Sequence, residues 1–356
     1  MAVGAIGWAA SAGAVDPRPT AEELLIAVQQ PTVTDLTGTT LTRVDLGLPA
    51  GIEGLVDLPA PLNAASGEVA AQVWVDGPDR QRITALADVS ATASAAVADT
   101  QLSAVRDGDT VVVWSAEDAT ATTYTAAPDA PAKADAAQTP GTPAEVAREA
   151  LAVLGEDADV TVADSPPMAG RDTVALVVDP RDTKTLVSQV TITFDRETNV
   201  VLGVQVGSTK LPGPAVETAF TAVSYDQVSS DVFAFTPPAG ATVVDKTMGP
   251  DSDSPKPEPE VIGDGWSAVA VGEVQMPGAP GQSAPGDLIA GLDDEQRSTA
   301  MQALGAYLSL PTVSGTWGSG RVVAGTLFSV IITDDGRYAV GAVDVETLVA
   351  ALAQQR

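Results

Sequence analysis

Apolar residues first recur at helical spacing over Thr20–Gln30, where Leu24, Leu25 and Val28 make a stripe. Thr20 followed three residues later by Glu23 is a capping box, and Pro31 stops the helix. The period then changes to two. Thr37–Leu46 alternates loosely. Val69, Ala71, Val73 and Val75 alternate with Ala70, Gln72, Trp74 and Asp76, as in a half-buried strand, and Gln81–Leu86 reads as its neighbour. Asp107-Gly108 sits between the apolar runs Leu102–Val105 and Val111–Trp114 and predicts a type I′ hairpin, with Thr122–Thr125 continuing the meander. Ala127–Pro143 is rich in Ala and Pro and reads as a loop or insertion. It leads into a second helix. Thr142 caps it, Pro143 takes the first helical position, Glu145 completes the box, and the helix runs to about Leu154.

Strands resume at Asp159–Val162, Asp172–Val178 and Val187–Asp195. Val200, Leu202, Val204 and Val206 then share one face; Phe220–Ser224 and Val232–Phe235 end the series, and Pro237-Pro238 closes the sheet. Strands in sequence-adjacent runs with short turns favour an antiparallel sheet over a doubly wound one. The segment 251–260 (DSDSPKPEPE) is an acidic, Pro-rich tether. Beyond it Trp266–Val274 reads as a strand and Asp293–Leu308 as a helix. Arg321–Ile332 and Arg337–Val343 read as a hairpin around Asp335-Gly336, and Val345–Ala353 as a closing helix. The expected organisation is α+β: a leader remnant over 1–15, a sheet domain over 16–245, a linker over 246–262 and a small α+β module over 263–356.

Charge and residue usage narrow the chemistry. With 18 basic and 47 acidic side chains the net charge is −29. Nucleic acid is therefore not an expected partner, since phosphate binding needs a basic footprint, and a polybasic grip on anionic membranes is equally absent. Transient membrane contact is the most that this charge suits. The chain has no histidine and no cysteine. That removes Ser-His-Asp triads, cysteine nucleophiles, His/Cys zinc sites and iron–sulfur clusters. A binding protein is expected, not an enzyme, with no catalytic residues, metal or cofactor. Asp251 and Asp253 resemble the start of a calcium loop, but Pro255 and Lys256 stand where ligands and a glycine would be needed. The Gly-rich stretch 315–320 (GTWGSG) lacks a Walker lysine and reads as a turn before a strand. Asp293-Asp294 and Asp334-Asp335 fall at helix starts or turns, where acids cap and solubilise. Met1–Val15 is apolar and small, with a small-x-small pattern at Ser11–Ala14; it reads as the back half of a signal peptide, and export to the cell envelope follows. It is too short to span a bilayer, which needs about 20 apolar residues.

Four segments, in order, resemble the LolA-like lipoprotein carriers of the bacterial envelope. They are Gln72–Pro78 (QVWVDGP), Arg106–Trp114 (RDGDTVVVW), Val190–Asp195 (VTITFD) with the following Val200–Val206, and Val232–Val244 (VFAFTPPAGATVV). The last is similar to the family's closing Phe-x-Phe-x-Pro-Pro-x-Gly, and the first to its Trp-Val-x-x-Pro. The resemblance covers about residues 20–245, and the variety found in high-G+C Gram-positive bacteria is the nearest. It implies a curved antiparallel sheet, a half-open barrel, covered by helices over Thr20–Gln30 and Thr142–Leu154, with acyl chains held on the concave face. Where diderm carriers place an Arg before the Pro, this chain has Gly77. A latch from that position is therefore absent.

On this reading the candidate lining residues are Val73, Val75, Val111, Val113, Leu176, Val178, Ile192, Phe194, Leu202, Val204, Phe233 and Phe235. Alternation shows burial and not emptiness, so the same residues also fit a solid core against the helices. Trp74 and Trp114, of opposite parity, either stack a ligand or cover the outer face. The expected function is an exported protein that holds the acyl chain of a lipid or lipoprotein for transfer or presentation. The alternative is an envelope sensor or regulator whose C-terminal module contacts a protein partner.

Overall fold

The computed structural model describes residues 18–30, 33–49, 66–86, 102–126, 142–153, 157–248, 259–273, 298, 301 and 305–354. The leader segment, most of the tether and nearly all of the helix expected over Asp293–Leu308 lie outside them; 305–309 is helical.

Helix α1 (Ala21–Gln29) opens the first domain. It is followed by β1 (Asp35–Asp45), β2 (Ser66–Asp76), β3 (Arg80–Ala85), β4 (Leu102–Asp107), β5 (Thr110–Ser115) and β6 (Thr120–Ala126). Helix α2 (Pro143–Val153) leads into β7 (Ala158–Met168), β8 (Arg171–Pro180), β9 (Val187–Asp195), β10 (Val201–Ser208) and β11 (Pro214–Ser224). A 3-10 turn at Ser230–Phe233 and β12 (Thr242–Met248) complete it. Both helices start as their sequences dictate. Glu23 N–H donates to Thr20 Oγ1 at 3.2 Å, and Glu145 N–H to Thr142 Oγ1 at 3.3 Å. Each glutamate carboxylate in turn accepts from the N–H of its capping threonine at 2.7 Å.

The strands form one twelve-stranded sheet in the order β12-β6-β5-β4-β3-β2-β1-β11-β10-β9-β8-β7. It comprises two meanders joined side by side through β1 and β11. Every neighbouring pair is antiparallel except β6 with β12. The ends of the sheet, β12 and β7, are not paired with each other, so the sheet is curved and unclosed, a half-open barrel. Bulges between Thr39 and Thr40, at Val201–Gly203 and at Val206–Gly207 supply bend and twist. At Gly38 a Cβ would stand 2.6 Å from both the Ala222 carbonyl oxygen and the Phe220 ring, so only glycine lets Phe220 lie across β1.

The second sheet has the order β13-β14-β18-β17-β16-β15 and carries helix α3 (Val345–Gln354). Its strands are β13 (Glu260–Ile262), β14 (Val269–Glu273), β15 (Thr312–Gly315), β16 (Gly318–Ala324), β17 (Ser329–Thr333) and β18 (Arg337–Gly341). Val269, Val271, Ile331, Ala339, Leu348 and Leu352 form its core.

This module is seated on one end of the large sheet. Thr326 N–H donates to Leu46 O at 2.8 Å and its hydroxyl to Asp45 O at 2.7 Å. Ser208 Oγ donates to Thr326 O at 2.6 Å, and Leu186 N–H to Ala342 O at 2.7 Å. Leu327 packs with Val44, Leu46 and Val216. Trp266, 4% exposed, enters the helix-covered core of the first domain.

Four sequence expectations are corrected. Val232–Phe235 is not a strand; the chain turns there in a 3-10 turn, because its apolar residues cover a sheet face instead of extending it. Pro237-Pro238 does not close the sheet, since β12 follows and joins β6 in parallel. The hairpin at 107–110 has Gly108-Asp109 at its centre; only Gly108 has positive φ, at 60°, which fits type II′ and not I′. Arg321–Ile332 is two strands, broken at 325–328, and that reversal is what presents Thr326 and Leu327 to β1.

Opposite the module, a buried carboxylate gathers the ends of the strands. Asp195, 1% exposed, accepts from Arg171 Nε at 2.7 Å, the Tyr225 hydroxyl at 2.7 Å and Glu197 N–H at 2.9 Å. Burial alone would raise its carboxyl; the bonds from Arg171, Tyr225 and the Glu197 backbone outweigh that and hold it below the ordinary carboxylate range. Burial first, and the Asp195 carboxylate after it, push the Tyr225 hydroxyl upward, so it stays a donor.

This packing has measurable consequences at two residues. Trp266→Ala removes a large side chain shared by both domains and lowers unfolding free energy by about 3–5 kcal/mol in a urea melt. Trp266→Phe costs far less, because the indole N–H is buried without a hydrogen-bond partner. If the alanine variant melts like the parent, Trp266 does not couple the domains. Asp195→Ala removes the buried acceptor shared by Arg171 Nε, the Tyr225 hydroxyl and the Glu197 N–H and costs about 3 kcal/mol at neutral pH. Because the folded pKa is depressed, this contribution is present above the ordinary carboxylate value and is lost as pH falls through the folded value. The melting difference between parent and variant therefore shrinks with acidification, and a pH-independent difference would refute the assignment.

Candidate functional site

Strand register assigns every sheet residue to one of two faces. On the helix side, Val174, Leu176 and Val178 of β8 stand beside Phe194, Ile192 and Val190 of β9, and these beside Val201, Val204 and Val206 of β10. Leu24, Ala27 and Val28 of α1, Val146 and Ala147 of α2, and Trp266 pack onto them. The predicted residues Leu176, Val178, Ile192, Phe194 and Val204 thus meet the helices and are buried.

The same face continues across the seam. The bulge at Val201–Gly203 sets Leu202 into a second cluster with Leu36, Val73, Ile83 and Phe220, with Val75 at its margin. Register carries the face on through Val73, Ile83, Ala104, Val113 and Thr122 to Val244. A parallel line runs Val75, Gln81, Arg106, Val111, Tyr124, Lys246. Val73 and Val111 are buried, whereas Val75 and Val113 are half-buried. Helix α2 packs chiefly on β10 and β11; toward β3 its reach is the Gln81 amide donating to Glu145 at 3.3 Å. Among the described residues the helices therefore cover the β8–β11 half of the face and leave the β3–β6 half without a helix.

Phe233 and Phe235 stand on the opposite face. Phe233 packs with Val105 and Val228, and with Trp74 at the edge of the cluster; Phe235 meets Trp114 with ring centroids 6.3 Å apart. The segment after β11 thus forms a strap over the outer face of β2–β5. Its bonds are Val228 N–H to Asp35 Oδ1 at 3.3 Å and Arg82 Nη1 to Val232 O at 2.9 Å. The Arg82 guanidinium lies 5.9 Å from the Trp74 ring centroid, and burial lowers its pKa. Trp74 and Trp114 accordingly cover the outer face.

Leu36, Ile83, Phe220, Tyr124 and Lys246 share the helix-side face and were missed from sequence. Lys246 carried no local signal, since 242–247 (TVVDKT) does not alternate and follows Pro237-Pro238. Among the described residues no group of His, Cys, Asp or Glu could hold a metal ion, and no helix is long and apolar enough to cross a membrane.

No protein-family model matches the chain, and no curated protein matches it. Solved structures similar to it are of low identity. MucB of Pseudomonas aeruginosa, in complex with MucA, is 14% identical, with 94% of this chain and 96% of that chain covered and a TM-score of 0.43. An uncharacterized conserved protein of Thermus thermophilus is 11% identical over 64% of this chain and 100% of that one, with a TM-score of 0.37. A LolA-superfamily protein of Nitrosomonas europaea is 9% identical over 61% of this chain and 98% of its own, with a TM-score of 0.24.

Proposed function

We propose that this protein is an exported, LolA-like binding protein that takes the acyl chain of a lipid or lipoprotein against the helix-side face of its sheet. One observation carries the reading. The face continues from the helix-covered β8–β10 cluster, across a seam that carries the buried Thr42 and Thr218, to Ile83, Ala104, Val111 and Val113, while the described helices stop short of that second half. A hydrocarbon tail laid along β3–β5, against the flank of α2, leaves water at about 0.8 kcal/mol per methylene, so a partly buried chain reaches micromolar affinity. The chemistry is reversible burial and needs no nucleophile, acid or metal. The site comprises Val73, Val75, Val111, Val113 and Leu202; Leu176, Val178, Ile192, Phe194 and Val204 form the floor on which the helices sit. Phe233 and Phe235 act only from the other face, by holding β2–β5 in shape.

A second reading has its own support. The C-terminal module is not free on its tether but anchored by Thr326, Leu327 and Trp266. A fixed second domain suits an envelope sensor or regulator that presents a rigid surface to a protein partner.

The chain purified without detergent is expected to carry an extractable lipid by native mass spectrometry, or to take up a fluorescent fatty acid. Val113→Trp, which fills the half-buried position, is expected to weaken uptake about tenfold with an unchanged urea midpoint. A clean apo mass with no probe uptake by the parent would reject the acyl-chain reading and leave the partner-binding one.

A further inference from the structure

The helix-side face is not uniformly apolar. Its β3–β6 half divides into two lines across the strands. The inner line, Val73–Ile83–Ala104–Val113–Thr122, is mainly apolar. The line nearer the β2–β3 and β4–β5 turns is Gln81–Arg106–Val111–Tyr124–Lys246, and it carries donors. Two of them are cations in a chain of net charge −29.

Elsewhere in the structure the guanidinium groups are largely claimed by acids. Arg43 pairs with Glu68 and Glu217, Arg171 with Asp195 and Glu197, Arg181 with Asp157 and Asp159, and Arg337 with Asp335. Arg106 and Lys246 have no carboxylate partner among the described residues. Arg106 Nη2 donates to Pro78 O at 3.1 Å, while its Nε is buried with no hydrogen-bond partner. Lys246 Nζ rests 5.7 Å from the centroid of the Tyr124 ring. Two acids near this line are engaged: Asp76 pairs with Arg80 at 2.5 Å, and Glu145 caps α2 and accepts from Gln81; Asp107 and Asp245, next in sequence to the two cations, alternate to the other face of their strands. Three strand spacings separate Arg106 from Lys246, about 14 Å between backbones. Lys246 leans over Tyr124 toward this line, whereas Arg106 Nη2 is held toward Pro78 in the β2–β3 turn, so one tetrahedral anion shared by both requires Arg106 to swing off that carbonyl.

We propose that Arg106, Tyr124 and Lys246 form a subsite for the phosphate of an amphiphile whose tail lies on the adjacent Val73–Ile83–Ala104–Val113 line. The inference rests on the acyl-chain reading and adds the class of head group. An orphaned buried guanidinium N–H costs free energy until an acceptor reaches it, and a charged acceptor is the strongest available. The surrounding negative charge opposes binding to an anionic bilayer but does not oppose a single phosphate held by two cations at short range. The site therefore selects a lipid monomer over a membrane surface.

The test uses the full chain and two ligands that share one tail, oleoyl lysophosphatidic acid and mono-oleoylglycerol, measured by displacement of a fluorescent fatty alcohol. The phosphate ligand is expected to bind about tenfold or more tightly than the glyceride. The double variant Arg106→Gln/Lys246→Gln is expected to abolish that ratio while leaving glyceride affinity and the urea midpoint unchanged. Rising salt is expected to shrink the ratio in the parent only. Equal affinity of the two ligands in the parent, or a ratio that survives in the double variant, would overturn the subsite and leave the tail reading standing. Binding of neither ligand would overturn both. Inorganic phosphate added as competitor separates the sources: failure to displace at millimolar concentration marks a lipid head group, and displacement lost in the double variant marks an anion site that also accepts free phosphate.

Discussion

Strands β1 and β11 run side by side from Thr37 opposite Ser224 to Val44 opposite Val216. Every other strand pair in the large sheet except β6 with β12 joins sequence neighbours. Each meander could form from local turns; neither could present a continuous face without this seam. It is also where the sheet is most carefully fitted. Phe220 crosses β1 over Gly38, Thr42 and Thr218 face each other with hydroxyls 3.2 Å apart, and a bulge after Thr39 shifts the register. Those hydroxyls are buried and satisfied by each other, which avoids the cost of an unpaired polar group in the middle of the face. The half of the face that the described helices cover and the half they do not reach meet along this line.

The two ends of the seam are secured differently. One end is met by the C-terminal module, whose Thr326 continues the hydrogen bonding of β1 at Asp45 and Leu46, and whose Trp266 fills the helix-covered core. At the other, Asp195 binds Arg171 and Tyr225, so the chain leaving β11 is held where its strap begins. The strap then buries Phe233 and Phe235 against Trp74 and Trp114. A sheet whose helix-side face is largely apolar is thus covered on the other side by its own chain, which limits exposed apolar surface on the outer face.

Much of this was legible in the sequence, and the failures have physical causes. The capping boxes at Thr20 and Thr142 and the alternation of β2, β8 and β9 are local signals, and they placed both helices and most strands. The placement of Val73 and Ile192 on the helix-side face followed from parity alone. Phe233 and Phe235 were misread because an aromatic pair at i and i+2 has the same pattern in a strand as in a strap lying over one. The missed strand β12 comes after Pro237-Pro238, and its partner β6 is parallel and distant in sequence. The break at 325–328 is a tertiary choice: Val322, Val323, Val330 and Ile331 alone read as one run. The Arg106–Lys246 line needed four strands in register before it could be seen.

The separation in sequence across the seam, 176 residues between Thr42 and Thr218, also fixes an order of events in time. A chain delivered from its N-terminus completes β1 to β6 long before β11 emerges. Throughout that interval β1 is an open edge with Val44 and Leu46 uncovered, the kind of edge that recruits other chains. Of its alternate residues Thr37, Thr39, Leu41, Arg43 and Asp45, all but Leu41 are polar, and Arg43 later bridges Glu68 and Glu217 across the finished seam. Those polar residues keep the waiting edge hydrated during synthesis, so the same side chains that fasten the sheet at the end protect it at the beginning.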